Sequence, residues 1–309
     1  MQVLVSEVGP RDGLQSIKRS MPTEAKHRWI RALADAGLSE IEVASFVPAK
    51  LLPQMADAAA VVRAAVKIPR LTVLALAPNL RGFQDAAAAG AHKVTLPVSA
   101  SQAHSRANIR MSCEEAIESV ASICAMRDAL PADRRPKVEV GLSTAFGCTI
   151  QGDVQEDWVF EMARRIAARG ADSIGLSDTV GYANPRQVSR MFRRLKSELG
   201  DKAGGAHLHN TRGQGLANVV AALEAGVTTF DASQGGIGGC PYAPGASGNI
   251  VTEDLVFLLE SMGLDTGIDI EKLIAVRAIL SKVLPGEPIY GHVPEAGLPR
   301  GFRAARSAR

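Results

Sequence analysis

Two histidines separated by one residue are the sequence feature best suited to chemistry. His207 and His209 belong to a short run, Gly205–His209, that is predicted to be a β-strand. Side chains two residues apart on a strand project to the same face, so both imidazoles would point the same way. With Asp12 and Asn249 able to converge on them, they predict a divalent metal site of nitrogen and oxygen donors. These donors favour Mg²⁺ or Mn²⁺, and two histidines with one carboxylate leave a non-haem Fe(II) site as the alternative.

A second chemical feature is the stretch from Gly235 to Asn249, Gly-Gly-Ile-Gly-Gly-Cys-Pro-Tyr-Ala-Pro-Gly-Ala-Ser-Gly-Asn. Its glycines permit positive φ and a close approach of the backbone to a ligand, while Pro241 and Pro244 stiffen the remainder. We interpret this stretch as a shaped, mobile flap that carries Cys240 to a substrate. The alternative is a long turn in which the cysteine is incidental.

Short apolar runs alternate with helical patterns along the chain. Eight strands are predicted, at Gln2–Val8, Glu40–Val43, Arg70–Ala75, Lys93–Pro97, Lys137–Ser143, Ser173–Ser177, Gly205–His209 and Thr228–Asp231. Helices are predicted at Thr23–Ala36, Gln54–Val66, Asn79–Ala89, Ser112–Ala129, Asp153–Ala168, Pro185–Leu199, Gly215–Ala225 and Val251–Met262. Eight β-then-α units favour an α/β fold, a (β/α)8 TIM barrel, over a doubly wound open sheet. We expect residues 1–309 to form one domain, in which residues 264–309 are a C-terminal helical extension that includes Ile270–Val283.

A TIM barrel places its catalytic residues at the C-terminal ends of the strands. The reactive side chains of this sequence follow that rule. His207 and His209 end the seventh predicted strand. The other reactive side chains end or follow five further strands: Arg11 and Asp12 the first, Glu42 and Ser45 the second, Ser143 and Cys148 the fifth, Ser177 and Asp178 the sixth, and Cys240 and Asn249 the eighth.

Composition excludes several classes of protein. The 309 residues are 46% hydrophobic and carry a net charge of only +3, so a nucleic-acid partner is not indicated. The four cysteines show no metal-binding spacing and no disulfide framework, which predicts a reducing compartment. No apolar run approaches membrane-spanning length, and the chain enters its first strand at once. We therefore expect a soluble, cytoplasmic protein without a membrane partner.

Four motifs together resemble the 3-hydroxy-3-methylglutaryl-CoA lyase family. They are Glu-Val-Gly-Pro-Arg-Asp-Gly-Leu-Gln at 7–15, Glu-Val-Ala-Ser-Phe-Val at 42–47, His-Leu-His-Asn-Thr-Arg-Gly-Gln-Gly at 207–215, and the Gly235–Asn249 stretch. The Arg-Asp-Gly-x-Gln element is shared with a wider superfamily of metal-dependent lyases and acyl-CoA synthases on TIM barrels. The Cys240 stretch is specific to the lyases, and condensing relatives lack it.

The resemblance implies a retro-Claisen cleavage of an acyl-CoA into acetyl-CoA and acetoacetate. It matches Asp12, His207, His209 and Asn249 to the family's metal ligands. Arg11 would face the thioester oxygen, where negative charge develops. Cys240 is the candidate acid that protonates the acetyl-CoA carbanion, and His207 is the favoured base, assisted by Asp178. Glu42 would orient Arg11 or a ligand.

The resemblance also supplies expectations about substrate binding and context. We expect seven residues to bind the substrate: Arg11, Gln15, Lys18, Ser45, Ser143, Cys148 and Ser177. An acyl-CoA is the expected small-molecule partner, a homodimer the expected assembly, and leucine degradation the expected pathway.

Three local departures from the family pattern bear on substrate identity. Ser16-Ile17-Lys18 replaces Asn-Glu-Lys, Thr149-Ile150-Gln151 replaces Pro-aromatic-Glu, and Gln102 stands where Glu is common. The loss of acidic residues predicts a changed acyl pocket or CoA entrance, with loop drift as the alternative. Besides 3-hydroxy-3-methylglutaryl-CoA, we therefore consider a related thioester such as citramalyl-CoA, and a non-catalytic acyl-CoA-binding or metal-binding relative.

Overall fold

Eight parallel strands close into a barrel in chain order in the computed structural model, which describes residues 2–238 and 248–305. The strands are β1 (Leu4–Glu7), β2 (Glu40–Ser45), β3 (Thr72–Leu76), β4 (Lys93–Ser99), β5 (Lys137–Ser143), β6 (Ser173–Asp178), β7 (Ala203–Leu208) and β8 (Thr229–Ala232). Strand β1 pairs with both β2 and β8, which closes the sheet on itself. The predicted (β/α)8 TIM barrel is confirmed, and the open doubly wound sheet was the wrong alternative.

Helices surround the barrel and cover the outer faces of its strands. They are α1 (Thr23–Asp35), α2 (Ala58–Ala65), α3 (Leu80–Ala89), α4 (Gln102–Ile109), α5 (Cys113–Ala129), α6 (Glu156–Ala168), α7 (Pro185–Leu199), α8 (Gly215–Glu224), α9 (Thr252–Ser261), α10 (Ile270–Val283) and α11 (His292–Ala296). Each long helix buries an apolar stripe with helical spacing; α7, for example, buries Val188, Met191, Phe192 and Leu195. Within the described ranges, no helix is both long and apolar enough to cross a membrane.

Most predicted elements lie within a few residues of the observed ones, and three differences have physical causes. The predicted helix Gln54–Val66 is a 3₁₀ turn, Pro53–Met55, followed by the shorter α2. Helix α4 was not predicted because it has no apolar stripe; its fully buried residues are the polar His104 and Ser105. Helix α11 is only five residues long, too short for periodicity to reveal.

The C-terminal extension contacts the barrel at both ends. Near the start of β1, the backbone N–H of Val3 donates to the carbonyl of Asp265 at 3.1 Å. Near the strand C-termini, the N–H of Tyr290 donates to the carbonyl of Gly235 at 2.8 Å. Arg277 of α10 forms an ion pair with the buried Glu253 at 2.8 Å. The extension therefore supports the segment that follows β8, where the Cys240 stretch begins.

A buried carboxyl group, Glu7, joins the end of β1 to the segments after β8. Its Oε1 accepts the N–H groups of Gly9 at 2.8 Å and Gln234 at 2.9 Å, and its Oε2 accepts the hydroxyl of Thr252 at 2.7 Å. Complete burial raises the pKa of Glu7 from 4.5 to about 8, although these hydrogen bonds act in the opposite direction. The carboxyl group is thus held protonated at neutral pH and fixes the closure of the barrel at its catalytic end.

We expect Glu7→Gln to keep nearly the wild-type free energy of unfolding at about pH 6, because an amide oxygen still accepts both backbone N–H groups. Glu7→Ala leaves two backbone N–H groups and the Thr252 hydroxyl without their hydrogen-bond partner and should cost about 3 kcal/mol or more. Urea unfolding measures both changes. Because the folded pKa lies above the unfolded one, the wild-type free energy of unfolding should fall as the pH rises from about 5 to 8. This fall should be smaller in Glu7→Gln, and equal pH slopes in the two proteins would contradict the assignment.

Candidate metal centre and active site

The turn after β1 is a π-helix, Gly9–Gly13, and all five of its residues are buried. Turns of this kind are frequent at functional sites. It packs closely on the segment after β8: a Cβ at Gly13 would lie 2.6 Å from Cγ1 of Ile237, a distance that real side chains do not reach. The glycine allows this approach. The turn therefore delivers Arg11 and Asp12 to the C-terminal mouth of the barrel, between its first and last strands.

Asp12 is the most connected side chain at the mouth. Its Oδ1 accepts hydrogen bonds from Nη1 of Arg11 at 2.5 Å and from Nε2 of Gln15 at 3.0 Å. Its Oδ2 accepts one from Nδ2 of Asn249 at 2.7 Å. Burial would raise the pKa of Asp12, but Arg11 and the two imidazoles outweigh it and lower that pKa to about 2. Asp12 is therefore an ionised carboxylate at neutral pH.

Arg11 is held between two carboxylates. Its Nε and Nη2 both contact Oε2 of Glu42 at 2.5 Å, while Nη1 contacts Asp12. All three side chains are buried, so the charges compensate each other in a region shielded from solvent. The guanidinium is consequently fixed in one orientation, and Glu42 lies where it orients Arg11.

The two histidines meet at the end of β7, as their spacing predicts. Their Nε2 atoms lie 3.2 Å apart. Nδ1 of His207 lies 3.0 Å from Oδ2 of Asp231, and this carboxylate raises the pKa of His207 against the lowering effect of burial. Burial, followed by the charge on His207, lowers the pKa of His209 to about 4. His209 is thus a neutral imidazole at neutral pH, which is the form that binds metals.

Asn249 reaches the same point from the segment after β8. Residues 209 and 249 form an isolated antiparallel bridge, and the N–H of Ile250 donates to the carbonyl of Leu208 at 3.2 Å. This pairing extends the sheet by one short step beyond β7. It places the carboxamide of Asn249 against Asp12, next to the histidines.

These residues have the arrangement of a divalent metal site. One ligand atom from each of Asp12, His207 and His209 can be chosen so that all three lie within 4.8 Å of one another. Oδ1 of Asn249 is buried and has no hydrogen-bond partner among the described residues. A bound cation would explain why this buried oxygen has no hydrogen-bond donor. The donor set of two nitrogens and two oxygens therefore fits a divalent cation, and the amide oxygen adds a fourth donor to the triad expected for non-haem iron.

A cavity of about 910 Å³ runs along the barrel from this mouth to the opposite end, where Gly200, Asp201 and Gly226 line it. Eight of the residues singled out from the sequence line it: Arg11, Asp12, Gln15, Glu42, Ser143, Ser177, His207 and His209. Residues Leu51, Leu52, Asn108 and Arg110 also line it, on the loops above β2 and β4. The part of the cavity at the mouth, where the site residues lie, is a concave region suited to a small organic ligand.

Four further candidate residues do not line the cavity among the residues that the structure describes. Lys18 is exposed to solvent on the loop before α1. Ser45 is fully buried at the end of β2, after a register shift between Glu42 and Ala44. Sγ of Cys148 accepts the N–H groups of Ile150 and Gln151, so it stabilises a turn.

The fourth candidate, Asp178, supports the loop after β6. Its carboxylate accepts the N–H groups of Tyr182 at 2.8 Å and Ala183 at 3.2 Å. Burial raises the pKa of Asp178 to about 6, against the effect of these hydrogen bonds. The geometry therefore favours a supporting role for Asp178 over contact with substrate.

Two of the three sequence departures do not line the cavity among the described residues. Ile17 is buried in the hydrophobic core, because the chain turns inward between the π-helix and α1. Oε1 of Gln151 accepts hydrogen bonds from Oγ of Ser101 at 3.0 Å and N of Ala103 at 3.4 Å. The effect of Ile17 and Gln151 on the acidity of the entrance stays a prediction.

One residue of the site was missed in the sequence. Asp231 ends the predicted eighth strand, its Cα pairs in register with that of His207, and its side chain lines the cavity. The strand-end rule that selected the other residues would have found it. Its bond to Nδ1 fixes the orientation of His207, with Nε2 directed at His209.

Cys240 lies outside the described residues. The two flanks of its segment are described and lie against each other at the mouth. A Cβ at Gly238 would be 2.7 Å from Nδ2 of Asn249 and 3.4 Å from Oδ2 of Asp12. On the same side, the N–H of Gly235 donates to Glu253 at 3.1 Å, so Glu253 supports the start of the segment.

Comparison with known proteins identifies the family. Residues 2–280 match the family model described as HMGL-like. Hydroxymethylglutaryl-CoA lyase YngG of Bacillus subtilis is 39% identical over 288 residues, which cover 93% of this chain and 95% of that protein. The mitochondrial hydroxymethylglutaryl-CoA lyase of Gallus gallus is 40% identical over 285 residues, which cover 92% of this chain and 94% of that protein.

A solved structure supports the same relationship. The HMG-CoA lyase of Acinetobacter baumannii, solved in complex with coenzyme A and 3-methylmalate, superposes with a TM-score of 0.91 at 37% identity. The match covers 98% of this chain and 97% of that one. The chain belongs to the HMGL-like family, and its resemblance to hydroxymethylglutaryl-CoA lyases extends over nearly its whole length.

Proposed function

We propose that this protein is a divalent-metal-dependent carbon–carbon lyase that cleaves 3-hydroxy-3-methylglutaryl-CoA to acetyl-CoA and acetoacetate. The convergence of the ligand atoms of Asp12, His207 and His209 at the mouth of the barrel carries this proposal. The relatives named hydroxymethylglutaryl-CoA lyase supply the reaction. The relative solved with coenzyme A supports an acyl-CoA substrate.

The proposed metal ligands are Asp12, His207, His209 and Asn249. A divalent cation bound there supplies Lewis-acid polarisation of substrate oxygens and a fixed substrate orientation. We propose Mg²⁺ or Mn²⁺, because a carboxylate and an amide oxygen are donors that these cations accept. The hydrogen bond from Asn249 to Asp12 holds both donors in place before substrate arrives.

Arg11 is proposed to stabilise the charge that develops during cleavage. When the bond between C2 and C3 breaks, its electron pair moves to C2 and is delocalised onto the thioester oxygen. A guanidinium already fixed by Glu42 and Asp12 can donate to that oxygen without reorganising. Gln15, Ser143 and Ser177 line the cavity beside it and are proposed to contact substrate.

Two proton transfers complete the proposed reaction. The C3 hydroxyl loses its proton to the His207–Asp231 pair. The carboxylate of Asp231, which lines the cavity, is the proposed acceptor, because Nδ1 of His207 is bonded to it and Nε2 is assigned to the cation. The C2 carbanion of acetyl-CoA takes a proton from Cys240. In the sequence, Cys240 comes two residues after Gly238, and Gly238 lies beside Asp12.

Cellular context is proposed from indirect observations. Cys113, Cys124 and Cys148 are buried and free, which suits the reducing cytoplasm. Relatives include proteins named cytoplasmic and others named mitochondrial, so their names support either compartment. The homodimer, the single domain formed by residues 1–309 and the role in leucine degradation are proposed from the family resemblance.

We expect the purified protein to release acetyl-CoA and acetoacetate in equal amounts from 3-hydroxy-3-methylglutaryl-CoA. Chelation should abolish the release and Mg²⁺ or Mn²⁺ should restore it, because the remaining polar residues cannot polarise a tertiary hydroxyl as strongly. Coupled assays for both products measure the result. Full activity of the metal-free protein would overturn the metal dependence, and no cleavage with metal present would overturn the proposed function.

Replacing Cys240 with Ser should lower kcat by about 10²–10⁴, the usual contribution of a positioned general acid. Binding of Mn²⁺ should stay unchanged, since the proposed ligands remain in place. Cys148→Ser is the matched control, because a serine oxygen can accept the same two backbone N–H groups as Sγ. A higher KM with unchanged kcat in Cys240→Ser would instead indicate a lid without acid chemistry.

Asp231→Asn should weaken the binding of Mn²⁺ by about 10- to 100-fold, because the carboxylate that fixes the His207 ring is lost. Calorimetric titration of Mn²⁺ measures the change independently of activity. Asp178→Asn is the control, since its carboxylate bonds the loop after β6. Equal affinities in wild type and Asp231→Asn would show that Asp231 does not position the ligand.

A further inference from the structure

The interior of the barrel below the metal centre is unusually open. In TIM barrels this space is ordinarily filled by layers of bulky branched side chains. Here three adjacent strands present glycine one step below the level of the histidines: Gly141 on β5, Gly175 on β6 and Gly205 on β7. All three line the cavity, and Gly141 and Gly175 are directly paired across their strands. A hollow therefore lies directly below the metal centre.

Backbone packing accounts for two of these glycines. A Cβ at Gly175 would lie 2.7 Å from the carbonyl oxygen of Gly205, and one at Gly205 would lie 2.8 Å from that of Thr229. A side chain at either position would collide with a neighbouring strand. At Gly141 the nearest atom to an added Cβ is Oγ of Ser177, at an ordinary distance of 3.6 Å. The fold does not demand glycine at position 141, so the missing side chain there only creates space.

The hollow has both apolar and polar walls, and charged side chains lie at its lower end. Leu74 and Leu76 of β3 line it together with Thr95 and Ser177. At the next level down, Nζ of Lys93 contacts Oε2 of Glu40 at 2.7 Å and Oε1 of Glu139 at 3.0 Å. An alkyl group would not displace these ion pairs. The level of the histidines and the level of these ion pairs are therefore two steps of the strands apart, about 13 Å for four residues.

We propose that this hollow receives the alkyl group on C3 of the substrate and accepts chains longer than methyl. This inference rests on the proposed function, in which C3 is held beside the metal ligands and CoA occupies the mouth. The alkyl group on C3 can then point down the barrel axis. The substrate class is 3-hydroxy-3-alkylglutaryl-CoA with alkyl chains of two to four carbons.

The reaction balances as it does for the methyl substrate. The bond between C2 and C3 breaks, the hydroxyl proton leaves, and C3 becomes a ketone. C2 takes the electron pair and then a proton to give acetyl-CoA. The second product is a 3-oxo acid that retains the alkyl chain.

The test compares kcat/KM for thioesters with methyl, ethyl, propyl and butyl groups on C3. The proteins compared are wild type, Gly141→Val and Gly141→Ala. Wild type should cleave the propyl substrate within about ten-fold of the methyl one. Gly141→Val should lower kcat/KM for propyl at least about ten-fold more than for methyl, because a hydrophobic pocket discriminates by this order for each methylene.

The outcomes separate this inference from the proposed function. Cleavage of the methyl substrate alone by wild type would overturn the inference and leave the lyase assignment intact. An equal loss for all chain lengths in Gly141→Val would also overturn it, and Gly141→Ala provides the same comparison should the valine variant fail to fold. If wild type with metal cleaved none of the substrates, the proposed function would fail and this inference with it.

Discussion

The buried negative charge of Asp12 is the constraint around which the catalytic end of the barrel is built. An ionised carboxylate away from water is unfavourable unless donors and positive charge surround it. Arg11, Gln15 and Asn249 supply those donors, and they come from the turn after β1 and the segment after β8. The carboxylate thus ties the first and last parts of the barrel together. The same arrangement leaves an acceptor, Oδ1 of Asn249, and two imidazoles available to a cation.

Outer contacts keep this arrangement in register. Glu7 joins the end of β1 to Gln234 and Thr252, and Glu253 joins Gly235 to Arg277 of the C-terminal extension. Both carboxyl groups are buried, and neither lines the cavity among the described residues. The carboxyl groups of Glu7 and Glu253 hold the two ends of the segment to which Cys240 belongs. The extension therefore serves the proposed chemistry as well as the packing of the barrel.

The fold was predictable because parallel barrel strands are short apolar runs separated by helices with regular endings. Gly90, for example, ends α3 with positive φ, as the Ala-Gly pattern indicates. The histidine pair was predictable from the period of a strand. The π-helix that presents Arg11 and Asp12 was not, since its hydrogen bonding leaves no periodic pattern. The direction in which Ile17 points was also not predictable: although it lies beside a motif in the sequence, its side chain is buried in the core. Asp231 could have been selected from its place at the end of the eighth strand, but its pairing with His207 needed the register of the two strands.

Titration of the metal-free protein with Mn²⁺, followed by electron paramagnetic resonance, tests the metal centre most directly. We expect one tightly bound Mn²⁺ per chain in wild type. Asp12→Asn should weaken binding by at least about 100-fold, because a direct ligand contributes more than the residues that orient it. Equal Mn²⁺ binding by wild type and Asp12→Asn would contradict the assignment of the site.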